Sequence, residues 1–311
     1  MWENLKNILI YEFRRKVKLL RDQVRANTKR KALLFTVLAG FLWGTSFPSI
    51  KIGLQYMTPF TFVFLRFLIA TLTMFSVMLI TKNFNFKFGN KRLILILGII
   101  NGIAYLLQYV GMVYTLAFAS SLFVNLSVVW VALLSPVILK ERLSGKKAAG
   151  VLVSVIGVVL MTTNLDFGSL GTFDVIGNLL VISAGILWAI FIIYNKPLVE
   201  KTDNLIQSMT WILLFTMIPL LPIAAFSMGN IFVLSWNAWL SIIYTAILCW
   251  VVPYYLWLKG LKNISPVTSA IILLTEIIVA VVISTFFLEE SLTLISGIGA
   301  VCIIIAILLV S

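Results

Sequence analysis

Long apolar segments joined by short polar connections make up most of this chain. After residue 31, ten apolar segments follow one another, and we call them the first to the tenth span. A helix of about 20 residues, rising about 1.5 Å per residue, crosses the roughly 30 Å hydrocarbon core of a bilayer. The pattern therefore predicts an all-α polytopic membrane protein with ten transmembrane helices. The spans are 32–53, 60–80, 93–114, 119–139, 148–163, 176–195, 205–225, 236–258, 265–288 and 292–310.

Residues 1–31 have a different pattern, in which apolar side chains recur every three or four positions among many basic ones. This spacing predicts an amphipathic basic helix, and such helices lie in the interface of an anionic leaflet. We expect residues 1–31 to bind anionic membrane lipids, and the alternative is a solvated charged tail. The apolar positions are Trp2, Leu5, Leu9, Phe13, Val17, Leu20 and Val24.

Composition supports a membrane protein and narrows its chemistry. The 311 residues are 61% hydrophobic and 11% charged, a balance typical of polytopic membrane proteins. Histidine is absent, which removes the commonest metal ligand, and no sequence motif calls for a cofactor. Cys249 and Cys302 both stand inside apolar segments, where a free cysteine behaves as a small hydrophobe.

The basic residues predict how the chain crosses the membrane. Of the 24 Lys and Arg residues, all but Lys51 and Arg66 fall in residues 1–31 or in connections on the same side of a ten-span bundle. Such a bias marks the cytoplasmic side. We therefore expect a multi-pass protein of the cell (plasma or inner) membrane with both termini in the cytoplasm. The bias also explains the net charge of +13 without a nucleic-acid partner.

The two halves of the chain resemble each other. AGFLW at 39–43 matches AGILW at 184–188, and KERLS at 140–144 echoes EESLT at 289–293. Because each half holds five spans, the second copy must cross the membrane upside down. The sequence thus predicts two inverted five-helix repeats, 32–163 and 176–310, after the N-terminal helix 1–31. Such repeats are typical of secondary transporters, whose substrate site lies near the midplane between the halves.

Two ionisable residues stand inside spans and are the first candidates for function. Glu276 lies near the middle of the ninth span, where a charge costs on the order of 2.5–3.5 kcal/mol on insertion scales. It could couple transport to protons or bind a substrate amine, or it could pair structurally with Arg66 or with helix backbone. Arg66 cannot lose its charge. Its candidate partners are Glu276, a substrate carboxylate and the outer headgroups, and snorkelling to the surface is the alternative.

Polar and aromatic residues at helical spacing complete the candidate site. Asn101, Tyr105 and Gln108 share one face of the third span, and their polar groups need partners in a bilayer. We expect them to line a cavity, together with Asn125 of the fourth span, and interhelical hydrogen bonding is the alternative. The repeat mates Trp43 and Trp188 are expected on opposite sides of this cavity, with core packing as the alternative.

At this point the chain resembles the EamA-type branch of the drug/metabolite transporter superfamily, over about residues 33–310. The resemblance rests on LWGTSFPSIK in the first span, Arg66, QYVGMVYT at the end of the third span, KERLS and the position of Glu276. It implies a ten-helix carrier of small metabolites, commonly outward, including amino acids and their derivatives. Similar proteins often have a proline after the glutamate where this chain has Ile277, so the helix break of those proteins could be absent here.

These observations predict a secondary active transporter that works by alternating access. Its substrate would be a small organic metabolite, by resemblance an amino acid or a related compound. We expect it to be moved outward, with proton coupling through Glu276 as a hypothesis. A membrane-embedded enzyme is one alternative, but it needs a cluster of titratable groups that the sequence does not offer. A non-transporting scaffold or sensor is another. No motif of a soluble enzyme occurs, so we expect no enzymatic activity.

Overall fold

The structure is a computed structural model that describes residues 2–82, 90–114, 122–166, 175–202, 204–227, 234–287 and 293–311. These residues form helices and connections, and none of them lies in a β-strand. Among them, eight helices are long and apolar enough to cross a membrane, and the helix of the tenth span is apolar but shorter. The chain is therefore an all-α multi-pass membrane protein, as the sequence predicts.

The helices follow the ten predicted spans. The first span consists of the end of the helix Trp2–Gly44 and of the helix Ser46–Gly53. The fourth contains a short stretch, 122–125, and the helix Ser127–Leu139. The eighth joins Trp236–Ala246, a π-helical segment Ile247–Val251 and Val252–Leu261, and the ninth joins Pro266–Leu273 and Thr275–Phe287. The other helices are Pro59–Ile80, Lys91–Tyr114, Gly145–Thr163, Val175–Lys201, Leu205–Ser227 and Leu294–Val310.

The basic N-terminal segment is continuous with the first span. One helix runs from Trp2 to Gly44, so no helix end separates residues 1–31 from the span. To lie in the plane of the interface, the basic segment would have to bend away from the first span. The helix Trp2–Gly44 is not interrupted at any point between them. The side chains of residues 19–31 are exposed, and Lys29 donates a hydrogen bond to the carbonyl of Ser311. We call the end of the bundle that holds this segment and the Lys- and Arg-rich connections the basic end.

The packing of the helices follows the internal repeat. The third span packs against the sixth, and the first packs against the eighth. In both pairs, the third helix of one repeat packs against the first helix of the other. The second packs against the seventh, and the fifth against the tenth, so these repeat mates meet each other. These pairs are the ones expected when a two-fold pseudosymmetry axis relates the two halves. Residues 289–292 of the EESLT match lie outside the described residues.

Within the described residues, four spans are interrupted, at Thr45, Leu126, the segment Ile247–Val251 and Leu274. The break in the ninth span is therefore present although Ile277 replaces the proline of similar proteins. Instead of a proline, hydroxyl groups close the interrupted turns. Thr275 Oγ1 donates to the carbonyl of Ile272 at 2.6 Å, and Thr45 Oγ1 donates to the carbonyl of Leu42 at 2.7 Å. These bonds satisfy carbonyl groups that an interrupted helix leaves free.

The breaks of the first and ninth spans lie against each other. Gly40 and Gly44 form a GxxxG pair, a spacing that lets two membrane helices approach closely. A Cβ atom built on Gly44 would lie 2.6 Å from the carbonyl oxygen of Glu276 and 2.6 Å from Cβ of Val279. A Cβ atom on Gly40 would lie 3.3 Å from the carbonyl oxygen of Leu273. The glycine pair thus holds the first span against the turn that carries Glu276.

Replacing Gly44 tests this contact. We expect Gly44→Ala to lower the free energy of unfolding by about 1–3 kcal/mol, because the new methyl group overlaps backbone that must move. Thermal unfolding in detergent measures the change. Gly297→Ala in the tenth span is the matched control, since nothing lies within 4 Å of its Cβ position and alanine favours a helix over glycine. Equal melting temperatures for the two variants would contradict the close contact.

Candidate functional site

A continuous set of aromatic side chains runs through the middle of the bundle between the two repeats. Neighbouring rings have their centroids between 4.5 and 6.2 Å apart, and most of the pairs are tilted, edge-to-face or offset, the arrangements that aromatic rings prefer. We call this set the aromatic column. It consists of Trp43, Phe67, Tyr105 and Tyr109 from the first repeat and Trp188, Phe191, Trp250, Tyr254 and Trp257 from the second.

The part of the column nearer the basic end is tightly closed. Tyr254 and Trp257 are each 1% exposed, and both rings stack on Phe191. The Tyr254 hydroxyl donates to Asn195 Oδ1 at 3.1 Å, and Trp257 Nε1 donates to Ser269 Oγ at 2.7 Å. The polar groups of Tyr254 and Trp257 are therefore both satisfied within this tightly packed layer.

The part of the column around Tyr105 is more open. Tyr105, Gln108 and Trp188 are half-buried, so each keeps some accessible surface. Trp250 Nε1 donates to the Tyr105 hydroxyl at 3.1 Å, and Trp188 Nε1 lies 3.4 Å from Gln108 Oε1. The Trp188 ring meets that of Tyr105 edge to face at 4.8 Å. This arrangement combines apolar ring surface with a few oriented polar groups, as small-molecule sites do.

Arg66 points into this region from the second span. It is 3% exposed, so it does not snorkel to a surface. Its Nη2 donates to the carbonyl oxygen of Cys249 at 3.2 Å, and its Cζ lies 5.7 Å from the ring centroid of Tyr105 and 5.9 Å from that of Phe67. In the described part of the chain, no carboxylate forms an ion pair with it. The considered pair with Glu276 is therefore not formed in this structure.

The carbonyl that Arg66 binds belongs to an interrupted helix. In an α-helix the carbonyl of Cys249 would accept from the amide of residue 253, but that residue is a proline and has no N–H group. The segment Ile247–Val251 is π-helical at this point, and such segments are frequent at functional sites. Arg66 of the first repeat thus donates to a carbonyl of the second repeat whose α-helical donor position is occupied by a proline.

Glu276 stands just after the break of the ninth span. It stands in the first turn of the helix Thr275–Phe287, where the helix dipole favours a negative charge. Protein atoms surround the carboxylate, yet the residue is half-buried and keeps accessible surface. It is near enough to Tyr105 to act electrostatically on its hydroxyl group. Among the described residues, no hydrogen bond or ion pair holds this carboxylate.

The structure brings Arg66, Tyr105, Gln108 and Trp188 together. The other predicted site residues lie elsewhere. Trp43 contacts Trp257 with a ring distance of 6.1 Å, so it and Trp188 stand in different parts of one column. Asn101 is fully buried, and it donates to Thr216 Oγ1 at 3.0 Å. This is the interhelical alternative, because Asn101 faces the seventh span. Asn125 is buried beside the break of the fourth span, and the side chain of Lys51 lies outside the described part.

Several residues of the column are missing from the sequence prediction. Phe67 directly follows Arg66, and Trp250, Tyr254 and Trp257 recur every three or four positions on one face of the eighth span. That spacing could have identified them as one surface. Tyr109 lies four positions after Tyr105 and Phe191 three positions after Trp188, so the same spacing places them on the faces of two predicted residues.

Comparison with known proteins agrees with this architecture. Residues 30–163 and 175–311 each match the EamA-like transporter family. An "Uncharacterized transporter" of Archaeoglobus fulgidus is 28% identical over 275 residues, covering 87% of this chain and 94% of that protein. A "Probable amino-acid metabolite efflux pump" of Escherichia coli K12 is 25% identical over 287 residues, covering 88% of this chain and 92% of the pump. A solved crystal structure superposes with a TM-score of 0.75 at 15% identity, covering 89% of this chain and 95% of that one.

Arg66 and Pro253 should be energetically coupled, because the arginine supplies the donor that the proline lacks. We expect Arg66→Met to lower the melting temperature less in a Pro253→Ala background than in the original chain. Alanine returns the amide that can satisfy the Cys249 carbonyl. The coupling should be on the order of 0.5–3 kcal/mol, as for residues in one hydrogen-bond network. Thermal unfolding of the two single variants and the double variant measures it.

Pro222→Ala is the control for this cycle, since Pro222 is an exposed proline of the seventh span. Combined with Arg66→Met, it should give additive changes in melting temperature. Additive changes with Pro253→Ala as well would mean that the guanidinium does not replace the missing amide.

Proposed function

Because the chain belongs to the EamA-like transporter family, we propose that it is a secondary carrier that moves a small organic metabolite by alternating access. The observation on which this proposal depends is the aromatic column, which joins the two repeats and has the buried cation Arg66 beside Tyr105. A site between inverted repeats is reached from one side of the membrane and then from the other when the repeats rock against each other.

The uneven closure of the column supports this mechanism. The layer of Phe191, Tyr254 and Trp257 is buried, whereas Tyr105, Trp188 and Glu276 keep accessible surface. A molecule bound beside Tyr105 is therefore separated from the basic end by the closed layer. Transport requires a second state in which this layer opens, and the bound molecule must change the balance between the two states.

The substrate class and the direction rest on the relatives. One relative bears the name "Probable amino-acid metabolite efflux pump", and its length is matched almost completely. We infer that this chain carries an amino acid or a related compound and that it carries it outward. The ring surfaces around Tyr105 suit a substrate with an apolar or aromatic side chain, because such a side chain loses contact with water when it packs against them.

Glu276 is the group that we propose for proton coupling. A carboxylate in a transmembrane segment is a common element of proton relays in transporters, and this one is accessible and without a polar partner in the described part of the chain. In the protonated form it would favour one state of the carrier, and in the ionised form the other. Coupling then follows because protonation and substrate binding bias the same equilibrium.

The proposed location is the cell membrane, with the basic end in the cytoplasm. The near-complete segregation of Lys and Arg supports this orientation. We also propose that residues 2–31 bind anionic lipids, since each Lys or Arg near such a surface contributes on the order of 1 kcal/mol. Lys29, Arg30 and Lys31 are exposed where the helix leaves the bundle, close to the expected level of the headgroups.

The alternatives have less support. A membrane-embedded enzyme needs several titratable or metal-binding groups at one depth, and the described residues contain no metal-binding cluster of His, Cys, Asp or Glu. A scaffold or sensor needs neither the accessible carboxylate nor the polar groups along the column.

Transport by the purified protein tests the carrier. In liposomes we expect exchange of at least one member of a panel of the twenty amino acids, nucleosides, polyamines and sugars, and accumulation when a proton gradient is applied. Glu276→Gln should abolish the gradient-driven accumulation and keep the exchange, because it removes the titrating group but hardly changes its shape. Glu200→Gln is the control, since that carboxylate is exposed and pairs with Lys196 at 3.1 Å. Undiminished accumulation by Glu276→Gln would exclude this residue as the coupling group.

Removing residues 2–28 separates the carrier from the scaffold. The truncation keeps Lys29, which contacts the C-terminal carbonyl. We expect exchange to continue at the original rate in neutral liposomes, because the aromatic column lies in other spans. Preference for anionic vesicles, measured by co-flotation, should fall. A folded truncation variant that has lost exchange would contradict the assignment of this helix to lipid binding alone.

A further inference from the structure

The helices of the first and eighth spans meet closely where they approach the basic end. A Cβ atom built on Gly260 would lie 2.8 Å from the carbonyl oxygen of Ala32, so the two backbones are in contact there. Around this contact the two helices carry three lysines and two aromatic rings, which we call the lysine groove. Its residues are Lys31 and Phe35 of the helix Trp2–Gly44 and Tyr255, Lys259 and Lys262 at the end of the eighth span.

Lys259 occupies the middle of the lysine groove. Its Nζ lies 4.5 Å from the ring centroid of Tyr255 and 5.8 Å from that of Phe35, distances at which an aromatic face attracts a cation. The Lys259 side chain is exposed, and both rings are half-buried. The ammonium group is therefore held beside one ring from each repeat, on a side chain that keeps accessible surface.

Lys31 and Lys262 extend the groove toward the basic end. Lys31 precedes Phe35 by four residues, and Lys262 follows Lys259 by three. Residues at these distances share one face of a helix, so both lysines lie about one helical turn nearer the basic end than the contact of Lys259 with Phe35. Both side chains are exposed. The groove thus presents rings on its membrane side and cations at its end.

The positive charge of the groove is not balanced within the described part of the chain. No carboxylate there forms an ion pair with any of the three lysines. The neighbouring Glu200 pairs with Lys196 at 3.1 Å, and Lys196 Nζ also donates to the carbonyls of Leu261 and Lys262 at 3.0 and 3.1 Å. An anionic ligand can balance the remaining charge.

We propose that the lysine groove binds one anionic phospholipid. Its phosphate lies among the three ammonium groups, and an acyl chain lies against the rings of Phe35 and Tyr255. Depth and charge favour this occupant. The first predicted span begins at residue 32, so the cations stand at the level of the headgroups, and basic pockets between membrane helices bind anionic headgroups. A soluble anion would leave the rings without a partner.

This inference goes beyond the proposed carrier function and does not depend on it. It also differs from the proposed contact of residues 2–31 with anionic lipids, because the groove requires the eighth span and holds a single lipid. That lipid touches both repeats, since Phe35 belongs to the first repeat and Tyr255 to the second. Its binding therefore stabilises the association of the two repeats near the basic end.

A lipid titration of the full chain, delipidated in detergent, tests the site. Dioleoylphosphatidylglycerol should raise the melting temperature by mass action on the folded state. Dioleoylphosphatidylcholine, which has the same acyl chains and no net charge, should raise it less. Native mass spectrometry should show one tightly retained phosphatidylglycerol per chain. Equal effects of the two lipids would overturn the proposal, and an equal effect of inorganic phosphate would assign the cations to a soluble anion instead.

Variants locate the charge that holds the lipid. Lys259→Gln combined with Lys262→Gln should raise the phosphatidylglycerol concentration for half-maximal stabilisation on the order of tenfold, because each lysine near an anionic headgroup contributes about a factor of five. Lys259→Arg should keep the original affinity, since arginine preserves the charge and the contact with the rings. Normal affinity in the double glutamine variant would overturn the groove.

Lys201→Gln is the matched control, because Lys201 is exposed at the basic end of the sixth span and lies outside the groove. It removes one positive charge and should leave the affinity for phosphatidylglycerol unchanged. A loss as large as that caused by Lys259→Gln alone would mean that net charge, rather than a built site, attracts the lipid.

The truncation that lacks residues 2–28 separates the groove from the amphipathic helix. It keeps all five residues of the groove, so the single retained phosphatidylglycerol should remain in native mass spectra. Loss of that lipid from a truncation variant that still melts cooperatively would place the site on the amphipathic helix and overturn the inference.

Discussion

A charge inside the hydrocarbon part of a bilayer has to be met by protein atoms, and much of this bundle is arranged around one such charge. Arg66 is almost completely buried and cannot be neutralised. It donates to the carbonyl of Cys249, is hydrogen-bonded to Tyr109, and lies near the rings of Phe67 and Tyr105. Because this carbonyl belongs to the other repeat, the bond from Arg66 links the two halves at the level of the candidate site.

The same constraint accounts for the interrupted helices. In lipid, a carbonyl released from a helix needs another donor within the protein, and threonine hydroxyls supply it at Thr45 and Thr275. Gly40 and Gly44 then let the two interrupted turns approach each other. The result places backbone polar groups and Glu276 at one depth, without a proline in the ninth span. The helix break therefore depends on side-chain hydrogen bonds and close packing rather than on a single residue type.

The sequence predicts the fold well because lipid imposes simple rules. Span length, the segregation of Lys and Arg and the short repeat predict the ten-span bundle. Glu276, Arg66 and Tyr105 are predicted as site residues because polar groups inside a span need polar partners. What periodicity does not reveal is which neighbour a side chain meets. Asn101 and Tyr105 lie one turn apart, yet Asn101 bonds to Thr216 while Tyr105 enters the column. The continuous helix through residue 31 also escapes prediction, because a change from basic to apolar composition does not end a helix.

The distribution of hydrogen bonds along the column indicates where the two halves can part. Near the basic end, Tyr254 bonds to Asn195 and Trp257 to Ser269, and all four residues belong to the second repeat. In this layer of the column, the first repeat meets the second through the ring contact of Trp43 with Trp257.

Along the column, the bonds that cross between the repeats lie farther from the basic end. They include the bonds of Trp250 to Tyr105, of Trp188 to Gln108 and of Arg66 to the Cys249 carbonyl. Opening of the layer around Tyr254 and Trp257 therefore separates apolar ring surfaces and leaves those polar groups with their partners. Opening at the level of Tyr105 instead requires replacement donors and acceptors. A ligand with polar groups at that level can supply them, which gives binding a direct means to shift the balance between the two states.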